Sequence, residues 1–404
     1  MKKGWQVRRL VDVCATIKDG AHESPKQQFD SPGVGRFPYI TSKNIRNNYL
    51  DLRNLSYVDK DFHNRIYPRC KPSVGDVLLT KDGANTGNVT LNTIDEPFSL
   101  LSSVCLIKTK RDVLLPAFLS YYIQSPVGLE GITGQMTGAA IKRIVLRDIK
   151  LATIPLPPLP EQQRIVTILD QAFAGIATAK ANAEKNLRNA RALFESHLQS
   201  VFTRRGEGWE EKKLGNVCRI ARGGSPRPIQ EFLTTAPDGI NWIKISDATA
   251  SGKYIYKTEQ KIISDGARRS RMVHEGDFLL SNSMSFGRPY IMRTSGCVHD
   301  GWLILSDYAS ILHQDYLYYV LGSSFVYQQF DRLAAGSTVR NLNIELASRV
   351  EIPIPPLAHQ QEIAKQFEAF SEKIQRLESV YQRKLAALDA LKQSLLHQAF
   401  SGQL

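Results

Sequence analysis

Residues 154–166 read IPLPPLPEQQRIV and residues 352–364 read IPIPPLAHQQEIA, with eight of thirteen positions identical at a constant offset of 198. A chain that writes one junction twice has to fold into something that uses that junction twice. The self-similarity extends along the whole chain. WQVRRLVDVC from Trp5 matches WEEKKLGNVC from Trp209 at an offset of 204, and VGDVLLT around Asp76 matches EGDFLLS around Asp277 at 201. From FLSYYIQS (Phe118) against YLYYVLGS (Tyr316) onward, the offset stays at 198. It holds through TGAAIKRI against AGSTVRNL and on to LFESHLQSVF against LKQSLLHQAF. Every net length difference falls before Phe118. Surface loops absorb insertions and packed helical seams do not, so each half has a variable front and a fixed back.

The fronts, 1–155 and 207–353, are mixed in character. FPYI, GDVLL, SSVCLI, INWIKI and GDFLL are short β-branched or aromatic runs broken by Gly, Asn, Asp and Pro, which predicts strands. Amphipathic helices are expected around 115–125 and 313–330. The fold class is therefore α/β of mixed type, as two irregular domains each with a curved sheet. Pro155, Pro157 and Pro158, like Pro353, Pro355 and Pro356, force extended backbone and end each domain. Pro160 then suits the first turn of a helix, and Glu161 complements its positive N-terminus. The second copy carries Ala358 and His359 there, which predicts a weaker start.

Long helices follow, within 156–206 and 354–404. Ile363, Phe367, Phe370, Ile374, Leu377 and Tyr381 alternate steps of four and three, a heptad seam. The seam shifts by one through Leu385, Leu388 and Leu391 to Leu395. In the first copy it runs through Ile165, Leu169, Ala172, Ile176, Ala179, Ala183, Leu187, Phe194, Leu198 and Val201. One helix over 160–202 would span roughly 65 Å at about 1.5 Å per residue. Neither helix can bury its seam alone, and the other copy is its natural mate. Only RGEG separates the first helix from Trp209, so antiparallel pairing with a domain at each end of a pseudo-twofold dumbbell is expected.

Composition constrains the partners. The net charge is +13. The stretches 160–205 and 357–404 carry +3 and +1, leaving +9 on the rest, which favours a polyanion such as nucleic acid. No apolar run reaches the roughly 20 residues of a membrane helix, and MKKGWQVRRL lacks the apolar core of a secretion signal. Cys14, Cys70, Cys105, Cys218 and Cys297 show no metal-ligand spacing and point to reduced, mostly buried thiols in a cytoplasm. No metal site is expected. The sequence has no GxxxxGK[ST] loop, no methyltransferase Asn/Asp-Pro-Pro-aromatic motif and no paired nuclease carboxylates. No catalytic residues are assigned.

On the fold that the resemblance given below implies, loops that approach DNA leave the strands, and these hold the candidate contacts. Lys81, Asn85 and Thr86 follow GDVLL; Ser283, Ser285 and Arg288 follow GDFLL. Such side chains can reach base edges, and an ordinary polar turn fits the same pattern. Arg268, Arg269 and Arg271 form the densest basic cluster and suit phosphates or a solvated loop. Lys142, Arg143 and Arg340 flank the Gly138 and Gly336 turns at matching positions. Lys18 and His22 belong to the DGAHESP loop, where the histidine also fits a structural role. Tyr121, Tyr122, Tyr318 and Tyr319 could stack on bases, with core packing favoured.

The repeat, the PPLPEQQRIV helix start and the paired helices together resemble the specificity subunits of type I restriction–modification systems. The resemblance spans essentially the whole chain and rests on DGAHESP, GDVLLT, GAAIKRI and PLPPLPEQQRIV, with GGSP, GDFLLS, GSTVRNL, PIPPLAHQQEIA and AFSGQL in the second half. It implies two target-recognition domains (1–155 and 207–353), each reading half of a bipartite double-stranded DNA target, with the helices as a spacer. It implies two modification subunits that bring S-adenosylmethionine and methylate adenine. It also implies two restriction subunits with ATP and Mg, in a prokaryotic cytoplasm. This chain would bind no cofactor itself. His359, where the family favours Glu, and TGAA in place of GST depart from the pattern. A DNA-indifferent scaffold spacing two protein-binding modules, or an enzyme with an unrecognised nuclease site, would be separated from this reading by a salt-dependent DNA titration and by assays with divalent metal.

Overall fold

The computed structural model describes residues 4–134, 143–282, 286–334 and 341–404. The chain divides into two compact units: Met1–Glu184 with Arg383–Leu404, and Lys185–Gln382. Each unit takes part of both long helices, and the two are built on one plan.

In the first unit, Cys14–Asp19, Val104–Thr109, Val77–Thr80 and Val89–Leu91 form an antiparallel sheet in that order. A three-stranded sheet sets Arg36–Ile40 between Ser56–Asp59, antiparallel, and Ser99–Leu100, parallel. Gln6–Arg9 pairs antiparallel with Thr153–Leu156, so the start of the unit is stitched to the strand that leads into the long helix. In the second unit the counterpart sheet runs Arg219–Arg222, Trp302–Ser306, Phe278–Ser281, Pro289–Met292, and gains a fifth, parallel strand, Tyr254–Ile255. Its other sheet has five strands, with Ile240–Ile243 parallel to Gly296–Val298. Glu210–Lys213 pairs with Glu351–Ile354. The strands expected from FPYI, GDVLL, SSVCLI, INWIKI and GDFLL all form.

The first expected helix is Pro116–Gln124. The second, expected as one segment over 313–330, is two, Gln314–Gly322 and Ser324–Ala334. They break at Ser323, whose backbone is extended and whose hydroxyl donates to the Val320 carbonyl.

The long helices are Leu159–Thr203 and Leu357–Ser401, 45 residues each, with both bounds offset by the same 198. They start at corresponding residues despite Ala358 and His359, because one buried glutamine anchors each start. Gln162, 0% exposed, donates to the Val113 and Pro157 carbonyls at 2.9 Å and accepts from the Leu115 N–H at 2.9 Å. Gln360, 1% exposed, repeats this with the Ile311 and Pro355 carbonyls at 3.0 and 2.9 Å and the His313 N–H at 2.8 Å. Each buried amide has both its oxygen and its nitrogen bonded, so the joint is stiff as well as closed.

Within each unit the helix segments run antiparallel. In the first, Arg164 donates to the Leu404 carbonyl at 2.8 Å and Lys180 meets Asp389 at 2.7 Å. In the second, Arg191 meets Glu378 at 2.5 Å, and Phe194 and Phe202 pack on Phe370 and Phe367 at 5.8 and 5.5 Å between ring centres.

Ile165, Leu169, Ile176, Leu198, Phe367 and Ile374 are buried, and Leu187, Phe194, Ile363, Phe370, Leu388 and Leu395 are half-buried. Leu377 and Leu391 correct the seam reading: they stand 39% and 46% exposed. Ala364 and Leu396, one residue beyond Ile363 and Leu395, are the more deeply buried members. A 3.6-residue helix drifts against a strict 3.5 repeat, which carries Leu377 off the contact line. Each helix segment shares its unit's core. Phe118 and Tyr122 meet Phe400 edge-on at 5.1 and 5.3 Å; Tyr316 meets Phe202 likewise at 5.9 Å.

Candidate nucleic-acid interface

In each unit the chain crosses from one sheet to the other at a glycine. After strand Cys14–Asp19, the Gly20 N–H bonds the Val104 carbonyl at 3.0 Å and the Ala21 N–H bonds Leu100 at 2.8 Å. A Cβ on Gly20 would lie 2.2 Å from the Leu100 oxygen. In the second unit the Gly223 N–H bonds Trp302 at 2.9 Å, Gly224 bonds Val298 at 3.1 Å, and a Cβ on Gly223 would lie 2.0 Å from the His299 oxygen. Only glycine permits this approach. The DG and GG of the two loop motifs are thus a backbone requirement.

The crossing presents an aspartate that gathers basic groups. Asp19 receives Arg69 at 2.7 Å, Lys81 at 3.1 Å and His22 at 3.1 Å. Burial alone would raise its pKa, but the hydrogen bonds from Arg69 and Lys81 outweigh it and hold the carboxyl at about 2. With one carboxylate facing two permanent cations, the cluster keeps a positive excess.

In the second unit Asp300 plays the corresponding part. Its carboxylate accepts from Ser225 at 2.8 Å and from Arg227 at 3.1 Å, and these hold its pKa below the ordinary value, with the Ser225 bond the larger cause. Its carbonyl accepts from Arg222 at 3.1 Å and Asn282 at 2.8 Å.

Lys81 and Asn282 occupy the same framework position. Each backbone carbonyl accepts an N–H at 2.8 Å, from Ile144 and Leu342 respectively. Lys81 is only 2% exposed. Its expected direct contact with DNA is therefore corrected: the ammonium is turned inward onto Asp19 and orders the cluster, while His22 and the exposed Lys18 face solvent.

The turn after Lys81 closes through the Gly87 N–H on the Thr80 carbonyl at 2.9 Å and the Thr86 hydroxyl on the Gly83 carbonyl at 2.7 Å. Asn85 donates to the Ser42 carbonyl at 3.3 Å. Beside this turn lies an open cavity of about 670 Å³ lined by Gln28, Thr41, Ser42, Lys43, Asp82 and Arg143, among others. Arg143 sits 3.9 Å from Asp82 and is half exposed. A concave wall of amide, hydroxyl and guanidinium groups offers the donors and acceptors that base edges and phosphates take.

The arginine cluster of the second unit lies beside its crossing, because the Ser270 hydroxyl donates to the Gly224 carbonyl at 2.7 Å. Arg268 meets Asp265 at 3.4 Å, Arg269 lies 5.2 Å over the Phe232 ring, and Arg271 is exposed. Arg288 lies 5.3 Å over the Tyr290 ring. Lys142, Ser283, Ser285 and Arg340 lie outside the described residues, as do most of the GAAIKRI and GSTVRNL turns.

Sequence reasoning missed Asp19, Arg69, Arg222, Arg227 and Asp300. Arg222 and Arg227 flank the GGSP motif and were legible as the counterpart of the DGAHESP loop; Arg69 is 50 residues from Asp19 in sequence and gave no local signal. The tyrosines pack on the long helices: the Tyr121 hydroxyl bonds Asp170, Tyr319 bonds Glu368 at 2.5 Å, and Tyr122 bonds the Thr153 carbonyl at 2.9 Å. Among the described residues, no group of three or more His, Cys, Asp or Glu could hold a metal ion, and no helix is long and apolar enough to cross a membrane.

The sequence matches the type I restriction modification DNA specificity domain over residues 2–187 and again over 206–383. It is similar to the type I restriction enzyme MjaVIII specificity subunit of Methanocaldococcus jannaschii, 22% identical over 99% of this chain and 93% of that one. The fold is similar to a chain from work on complex assembly and conformational transition of the type I R-M system, with TM-score 0.78, 21% identity, and coverage of 100% and 99%. It is also similar to the HsdS subunit of Thermoanaerobacter tengcongensis, with TM-score 0.60, 20% identity, and coverage of 100% and 98%. Two matches to one DNA-specificity domain, laid over two units with the same crossing, mean that the chain belongs to the type I restriction–modification specificity-subunit family, as a recognition component without catalysis of its own.

Proposed function

We propose that each unit reads one half of a bipartite double-stranded DNA target and that the two long helices set the spacing between the halves. The observation that carries this is the duplicated crossing. A glycine-only approach carries an aspartate-centred group of basic and amide side chains in both units, yet the groups differ: Lys81, Arg69 and His22 in one, Arg222, Arg227 and Asn282 in the other. A shared frame with different side chains is what two readers of different sequences require. His22, Lys18, Asn85 and Arg143 are the proposed contacts of the first unit; Arg222, Arg227, Arg268, Arg269, Arg271 and Arg288 are those of the second. Two modification subunits carrying S-adenosylmethionine would dock along the helices and methylate adenine. Two restriction subunits would supply ATP- and Mg-dependent cleavage.

The test is methylome sequencing of cells carrying the chain with its modification subunit. Replacing residues 1–155 by the corresponding region of a relative is expected to change one half of the modified sequence and leave the other intact. A replacement that alters both halves would overturn the two-reader assignment.

A further inference from the structure

Within the second unit a cavity of about 560 Å³ opens against the long helices, walled by Phe194, Tyr254, Phe286, Tyr318, Tyr319 and Tyr327. The fifth strand, Tyr254–Ile255, which the corresponding sheet of the first unit lacks, brings Lys253 to it. Lys253 bonds Asp315 at 2.9 Å and Glu368 at 3.0 Å, and its ammonium lies 5.1, 4.9 and 5.2 Å from the Tyr254, Tyr318 and Tyr319 ring centres. A cation among these rings is therefore already part of the construction. Lys253, Arg288 and Arg293, the last 4.5 Å over the Tyr254 ring, stand with three carboxylates: Asp315, Glu368 and Glu195. Glu195 alone of the three has no hydrogen-bond or ion-pair partner among the described residues. It projects at the rim from the first long helix, and partial burial there raises its pKa.

The first unit shows how the same helix face is otherwise completed. At the offset of 198, Ser371 corresponds to Phe173, Tyr318 to Ser120 and Phe194 to Lys392. There Lys392 lies 5.1 Å over the Phe173 ring, so a cation on an aromatic ring is supplied from within the chain. In the second unit Ser371 leaves that volume open, and Glu195 has no cation bonded to it among the described residues.

We propose that this cavity receives an arginine side chain of a docking protein partner, its guanidinium stacked on the tyrosine and phenylalanine rings and paired with Glu195. A planar cation satisfies both features at once, and a polyanion such as DNA satisfies neither. Where the partner is the modification subunit, this rests on the docking reading above. Because Phe173 and Lys392 stack at the corresponding positions of the first unit, the contact is assigned to the second unit only.

The experiment uses the full chain and two variants. Glu195→Gln keeps shape and removes charge; Ser371→Phe fills the cavity with the residue the first unit carries. N-acetyl-arginine amide, titrated by NMR, is expected to bind the wild type saturably in about the millimolar range and to lose binding at least tenfold in both variants, with N-acetyl-glutamine amide inert. Both variants are also expected to bind the modification subunit at least about tenfold more weakly, with unchanged affinity for target DNA. No saturable amide binding, or equal binding by wild type and variants, overturns the inference, as does a loss of DNA affinity with assembly intact. If the wild-type chain binds the amide but no modification subunit, the cavity assignment stands and the docking reading falls.

Discussion

Asp19 is 19 residues into the chain and carries more of the first unit's interface than any residue near it, because Arg69, Lys81 and His22 all depend on its charge. Its carboxyl titrates near 2 in the fold against 3.8 ordinarily, so the folded state binds its proton less readily than the unfolded chain. The stability it contributes is complete above about pH 4 and is lost as pH falls from there toward 2. Asp19→Asn leaves the buried Lys81 ammonium without its counter-charge. It is expected to destabilise the fold at pH 7 by roughly 3 kcal/mol and to flatten the loss of stability between pH 4 and 2. Urea unfolding across that pH range measures both effects; a variant as stable as wild type at pH 7 would show that the cluster is not organised by this charge.

At the scale of elements, the joint between domain and helix rests on Gln162 and Gln360. Gln162→Leu strands two carbonyls and one N–H in the interior and is expected to cost about 3 kcal/mol. Gln162→Glu, which retains the acceptor but not the donors, is expected to cost at least as much, and Gln360→Leu to match Gln162→Leu. The two losses should add, since the residues share no partner. Chemical denaturation of the single and double variants checks all of this; a tolerated leucine would mean the amide bonds matter less than the shape.

The place of these joints is legible in the sequence alone, because prolines and an unbroken register are local signals. The strands are legible for the same reason. The seam is legible only in outline: alternating steps of three and four continue through Leu377 in the sequence while the helix itself has turned away. The break at Ser323 coincides with Gly322-Ser323-Ser324, which interrupts the apolar pattern too briefly to separate two helices by periodicity alone. Arg222 and Arg227 of the second unit's aspartate cluster flank a visible motif, whereas the first unit's cluster is not legible, since Asp19 meets Arg69 through a sheet crossing that no periodicity encodes. The fifth strand that builds the aromatic cavity escapes a sequence reading for the same reason.

For the whole molecule, the boundary of the repeat and the boundary of the compact units do not coincide. The sequence repeats at about residue 206, yet each unit draws on both long helices, with the divisions at Glu184 and Gln382. In the second unit the helix ending at Thr203 is followed, across 204–209, by strand Glu210–Lys213, which pairs just ahead of the next long helix. In the first unit the helix ending at Ser401 and strand Gln6–Arg9 are the repeat counterparts of these two elements, and that strand pairs just ahead of the helix beginning at Leu159. What is a covalent connection in one unit is, in the other, two chain segments packed on one core, with Trp5 and Leu404 both against it. A circular permutant that joins residue 404 to residue 4 through a linker like 204–208, and opens between Gly206 and Gly208, should therefore fold to the same stability and specify the same modified sequence. Denaturation and methylome sequencing would show it. On the two-reader proposal, the linear order of the units would then be a matter of where a cyclic order is cut.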